Sequence, residues 1–126
     1  MVRIMVADDN PAIRRCLRGL LDQHADWLVC DEASNGKEAV ERFKTTKPDL
    51  LVIDFQMPEM NGLDAARRIF ALSPRTPILM VTIHTSKQLN EEARKVGIRG
   101  ACAKADINSV VDAVGALLRD ETYFQN

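Results

Sequence analysis

Five residues in this chain can do chemistry together, and each stands where a short apolar run ends. Val2–Ala7 runs into Asp8-Asp9, Leu50–Asp54 finishes on Asp54, Ile78–Thr82 finishes on Thr82, and Ala101–Ala103 runs into Lys104. Three carboxylates, a hydroxyl and an ammonium suit a hard-cation site beside a phosphoryl-transfer centre. Carboxylates drawn within a few ångströms of one another cannot all stay ionised without compensating charge. One lysine neutralises one of them at most. Oxygen ligands with room for water favour Mg²⁺ over zinc as the remaining counter-charge. A cation beside a carboxylate and an ammonium stabilises a phosphoryl group in transfer by position and charge. Asp54 as nucleophile would give an acyl phosphate. Singly, each residue has a plainer reading: a strand-end Asp is often a turn former, Thr82 suits a strand, and Lys104 suits a solvated surface. The set, not any member, carries the inference.

Residues so far apart in the chain meet only if the elements between them bring the run ends together. With Leu28–Asp31 there are five apolar runs; three show little polar alternation, as strands buried on both faces of a parallel sheet do, and Ala101–Ala103, with its small residues, is the weakest. Between them lie helical periodicities: Ile13, Cys16, Leu17, Leu20 and Leu21; Ala39, Val40 and Phe43; Leu63, Ala66, Ile69 and Phe70; Leu89, Ala93 and Val96; and Ile107, Val110, Val111, Val114, Leu117 and Leu118. Asn10-Pro11 opens the first helix, Asn35 with Glu38 resembles a capping box, Asn61, Ser86 and Asp106 cap the others, and Gly97 stops the fourth. Strict βα alternation with right-handed crossovers gives an open parallel sheet covered on both faces. Ligands of such sheets bind beyond the carboxyl ends of the strands, where all five reactive residues fall.

Composition narrows the function classes. The 126 residues suffice for one domain with a real core, and 17 Lys and Arg balance 18 Asp and Glu, leaving no basic footprint for nucleic acid or an anionic membrane surface. No run approaches transmembrane length and no leader precedes the first strand, so a cytoplasmic protein is expected. Cys16, Cys30 and Cys102 show no metal-binding spacing and read as small buried hydrophobes. Met57, Met60 and Met80 read as core filler, and Trp27 as a cover over the edge of the second strand. A flavin site would need a Ser/Thr/Gly-rich loop where acidic Asp8-Asp9 stands, and no GxxxxGK[ST] loop is present.

The stretches "VADDNPAIRRCLRGLL", "ASNGKEAVERF", "PDLLVIDFQMPEMNGLDAARRI", "PILMVTIH" and "GIRGACAKADI" resemble the receiver domains of two-component response regulators over essentially the whole chain. The segments "ADWLVCDEASNGKEA", Thr82-Ile83-His84 and "LLRDETYFQN" are similar to the nitrate-regulator subfamily, whose members usually carry a helix-turn-helix output domain. The resemblance implies a flavodoxin-like (βα)5 sandwich with strand order 2-1-3-4-5, spanning residues 1–120, with 121–126 beginning a linker or tail. It implies Asp54 as phosphoacceptor, Asp9 as direct Mg²⁺ ligand, Asp8 helping through water, the Gln56 backbone carbonyl as a further ligand, and Thr82 and Lys104 on the phosphoryl oxygens. Pro58 and Gly62 match the loop that shapes the acceptor site. A sensor histidine kinase or phosphotransfer protein is the implied partner, with a homodimer on phosphorylation and no nucleic acid or membrane contact by this segment.

Three positions depart from that pattern. Ala101 stands where the family usually has an aromatic ring that moves with the threonine. Ala105 stands where many members have proline, leaving the isomer of the Lys104–Ala105 bond open, since a cis bond without proline costs about 3–4 kcal/mol. Gln56 and His84 occupy positions that set the phosphoryl lifetime, though His84 also reads as an exposed loop histidine. The competing expectation is a pseudo-receiver, a fold kept for protein interaction without phosphotransfer; the intact set of Asp8, Asp9, Asp54, Thr82 and Lys104 argues against it.

Overall fold

The computed structural model describes residues 1–125. The elements are β1 (Val2–Ala7), α1 (Pro11–Asp22), β2 (Trp27–Ala33), α2 (Gly36–Thr46), β3 (Leu50–Asp54), α3 (Gly62–Leu72), β4 (Ile78–Thr82), α4 (Lys87–Lys95), β5 (Gly100–Ala103), α5 (Ser109–Leu118) and β6 (Tyr123–Phe124). All pairings are parallel, in the order β2-β1-β3-β4-β5-β6. This is the expected flavodoxin-like fold with one strand more than the five expected. Tyr123 and Phe124 pair with Gly100 and Ala101, so residues beyond α5 add to the sheet edge.

The sheet separates two apolar layers. Ile4 and Val6 of β1 join Leu17 and Leu21 of α1 and Val110, Ala113, Val114 and Leu117 of α5. Met5 and Ala7 turn the other way, toward Val40 and Phe43 of α2, Ala66 and Ile69 of α3 and Ala93 of α4. Successive strand residues point to opposite faces, so continuous apolar runs in β1, β3 and β4 serve both layers at once. Burying each such aliphatic side chain is worth about 1.5–3 kcal/mol.

The helix starts follow the predicted chemistry, with one exception. Asn10, Asn35, Asn61 and Ser86 each accept a hydrogen bond from a backbone N–H of the first turn. In α2 the reciprocal arm reaches one residue further back than a standard box, from Ser34 N–H to Glu38 Oε1 at 3.1 Å. Asp106 is not a cap: a short 3₁₀ turn over Lys104–Asp106 intervenes and α5 begins at Ser109 without a side-chain cap. Gly97 ends α4 at φ 94°, a left-handed conformation that favours glycine. The Lys104–Ala105 bond is trans.

Other expectations shift in detail. The second strand is longer than Leu28–Asp31 because a bulge at Cys30, between the Ile4–Val29 and Met5–Asp31 pairs, lets the pairing continue to Ala33. Trp27 lies inside that strand, buried in the α1/α5 layer with His24 stacked on it at 3.9 Å. Cys102 is buried, but Cys30 is only partly so and Cys16 is exposed, because α1 shows that position to solvent and buries Leu17 and Leu21 instead. Met57 and Met80 are buried as core filler, with Met60 packed against them.

Candidate functional site

The direction of the winding reverses between β1 and β3, and the two strand ends there carry Asp8-Asp9 and Asp54. One carboxylate oxygen from each of the three lies within 4.8 Å of the others. Asp8 and Asp54 are 1% and 4% exposed, while Asp9 opens to solvent. From the end of β5, Lys104 reaches across so that its Nζ stands 3.0 Å from Asp8 Oδ2 and 3.1 Å from Asp54 Oδ2. Thr82, buried at the end of β4, turns its hydroxyl to the His84 carbonyl at 3.4 Å. Asp9, Asn10, Asp54, Gln56, Thr82, Ile83 and Lys104 line one cleft of about 280 Å³. The fold thus brings together the five residues singled out by type, with Gln56 at the rim. His84 is exposed, one residue past the cleft-lining Ile83, and Ala101 lies three residues before Lys104, fully buried.

Local backbone bonds hold the acidic side. Asn10 N–H donates to Asp8 Oδ1 at 2.9 Å, and Arg14 donates to the Asp8 carbonyl at 2.6 Å. Beyond β3, Phe55 N–H donates to Val81 and Gly62 N–H to Phe55, at 3.2 and 2.7 Å. A Cβ on residue 62 would collide with the Asp54 carbonyl and stand 2.9 Å from Phe55 Cα, so only glycine lets α3 begin this close to the strand end. Arg14 was not singled out by sequence; its place on the first turn of α1, six residues past Asp8, is the signal that points it back at the strand end.

The electrostatics show what the arrangement demands. Burial, then the neighbouring Asp8 charge, push the Asp54 carboxyl up to about 6, against the opposing pull of Lys104 and the Gln56 N–H. For Lys104, burial disfavours the charged form, but the hydrogen bond and charge of Asp8 together with Asp54 outweigh it and hold the ammonium above its usual range. Asp8 Oδ2 is buried and faces Lys104 Nζ at 3.0 Å, so the single ammonium is shared between Asp8 and Asp54. Three carboxylates, two of them buried, against one ammonium make an all-oxygen donor set short of positive charge. That set fits Mg²⁺, a hard cation that keeps several waters and takes one or two carboxylates.

A doubly wound parallel sheet with an acid cluster at its switch point, a strand-end threonine and a lysine defines a phosphoacceptor class of signalling domain. The chain belongs to the response regulator receiver domain family, whose model matches residues 4–115. It is 31% identical over 125 residues to the uncharacterized transcriptional regulatory protein YxjL of Bacillus subtilis, covering 98% of this chain and 57% of that protein. It superposes on a LuxR-family two-component response regulator from Aurantimonas sp. SI85-9A1 with a TM-score of 0.93, 30% identity and coverage of 98% and 89%. The receiver domain of the response regulator NarL from Mycobacterium tuberculosis gives 0.86, 27% identity and coverage of 94% and 96%. These neighbours agree with the nitrate-regulator likeness read from the sequence. Among the described residues no helix is long and apolar enough to cross a membrane.

Proposed function

We propose that Asp54 accepts a phosphoryl group from a histidine kinase or phosphotransfer protein in a Mg²⁺-dependent reaction, and that the phosphorylated domain switches conformation to control an output. The observation that carries this is the position of Asp54: buried at the β3 end, within one cluster with Asp8 and Asp9, and paired with Lys104. Asp9, Asp54 and the Gln56 carbonyl would hold the metal, with Asp8 reaching it through water. Bound there, the cation would neutralise charge on the phosphoryl oxygens.

The chain's own groups do the rest. An ionised Asp54 oxygen forms the new bond to phosphorus, while the bond from phosphorus to the donor breaks and the donor keeps that electron pair. Attack needs the carboxylate form, which burial and the Asp8 charge disfavour in the metal-free site and which a bound cation would favour. Lys104 Nζ leaves Asp54 to pair with a phosphoryl oxygen, and the Thr82 hydroxyl, now on the His84 carbonyl, turns inward to another. Gln56 and His84 flank the path of a hydrolysing water and set the lifetime of the product. Because the substrate is its own side chain, the domain is not a conventional enzyme. Its output is transcription through a helix-turn-helix domain, with phosphorylation favouring a homodimer in the cytoplasm.

Incubation with Mg²⁺ and acetyl phosphate, followed by intact mass, tests this beside Asp54→Asn. One phosphoryl group on the parent and none on the variant is the expected result. No gain by a folded parent, together with no binding of the phosphoryl mimic beryllofluoride, would favour the pseudo-receiver instead.

A further inference from the structure

Gln125, beyond the last helix, has every polar group engaged around the segment that carries Lys104. Its Oε1 accepts from the Ala103 N–H at 2.8 Å and its Nε2 donates to Asp106 Oδ2 at 3.1 Å, so one amide spans the 3₁₀ turn from before to behind. Its backbone N–H donates to the Ala101 carbonyl at 3.0 Å, and its carbonyl accepts from Asn90 Nδ2 of α4 at 2.7 Å. The neighbouring residue holds this strap down: Phe124 packs against the α2–α4 layer, with the Arg94 guanidinium 4.0 Å above its ring. Fixing a glutamine side chain costs rotamer freedom, and its two directed side-chain hydrogen bonds, on a backbone anchored by two more, offset it.

The turn needs such a strap. It is three residues long, has no side-chain cap of its own, and holds Ala105 where a proline would fix the backbone. A lysine ammonium sits on a flexible four-carbon stem, so where it stands depends on how firmly its backbone is held.

We propose that Gln125 is a positioning residue for phosphoryl transfer: by bridging Ala103 and Asp106 it sets the turn that places Lys104 Nζ between Asp8 and Asp54. This rests on the phosphoacceptor reading and adds to it a residue outside the cleft that governs the cleft's cation.

The test uses Gln125→Ala, Gln125→Glu and the double variant Gln125→Glu/Asp106→Asn. The glutamate keeps the acceptor for Ala103 but sets carboxylate against carboxylate at Asp106; the added asparagine restores a donor in the opposite sense. Rates of Mg²⁺-dependent phosphoryl gain from acetyl phosphate should fall about tenfold or more in both single variants and return in the double variant. Mg²⁺ affinity by calorimetry should stay within about twofold, because the acids that would hold the ion are untouched. A strap that only stabilises the fold would lower the unfolding temperature and leave the rate, measured well below it, unchanged; that result overturns the proposal. So does a crystal structure of Gln125→Ala in which Lys104 Nζ still lies within hydrogen-bond distance of both carboxylates. If the parent protein neither gains a phosphoryl group nor binds beryllofluoride, the phosphoacceptor reading fails, and the crystal structure alone decides whether Gln125 sets Lys104.

Discussion

The two walls of the cleft are built differently. On the β1/β3 side, Asp8 is fixed by Asn10 two residues away and by Arg14 six residues away, and Asp54 by the turn that closes on Gly62. On the β4/β5 side, Thr82 makes one long hydrogen bond to a loop carbonyl, and the Lys104 turn is tied by Gln125, twenty-one residues further along the chain. The acidic wall is preorganised by local structure, whereas the cationic wall depends on tertiary contacts able to rearrange. A site that must hold a metal steadily and then signal a chemical event profits from that division, since a switch need only bias two states a few kcal/mol apart.

The sharpest way to break the comparison is to remove the cation. Lys104→Ala should slow phosphoryl uptake about 10²–10³-fold, the scale seen when a charge-stabilising group is lost, with Mg²⁺ affinity equal or higher by calorimetry because a competing positive charge is gone. A rate within about threefold of the parent would mean that the cationic wall takes no part in transfer.

Next in size is a pH effect on stability. The folded pKa of Asp54, about 6, lies above its ordinary 3.8, so its contribution is favourable below about pH 4 and lost as pH rises through 6. Without metal, urea unfolding should therefore show stability falling on the order of 2–3 kcal/mol between those limits. Asp54→Asn should flatten that fall, and Mg²⁺ should reverse it. A metal-free parent whose stability is level across this range would contradict the crowded acidic wall.

Gly62→Ala should cost about 1–3 kcal/mol in urea unfolding, because the new methyl meets backbone rather than a side chain that could move aside. At the small end, exposed Cys16→Ser should change stability by less than about 0.5 kcal/mol. A large loss there would mean that α1 packs differently from what is described.

The same division explains how much was legible in the sequence. Strand runs, caps at Asn10, Asn35, Asn61 and Ser86, and the alternation itself are local signals, and they led to the fold and to Asp8, Asp9, Asp54, Thr82 and Lys104 as neighbours. The Cys30 bulge, the 3₁₀ turn that displaces Asp106 from capping α5, and the sixth strand leave no periodic trace, since each depends on a partner distant in sequence. Gln125 is the clearest case: one polar residue past the last helical repeat reads as tail, and only the folded sheet edge reveals its four bonds. Ala101 gains a meaning in the same way, because its strand partner is Phe124, so an aromatic ring enters that region from β6 rather than from β5.

The central claim is that the phosphoryl group forms an acyl phosphate on Asp54. Borohydride reduces an acyl phosphate to the alcohol, converting the acceptor aspartate to homoserine, which peptide mass spectrometry locates. After treatment with acetyl phosphate and Mg²⁺, homoserine at position 54 and at neither 8 nor 9 is the predicted result. Homoserine at position 8 or 9, or a phosphorylated protein with none at 54, would contradict it.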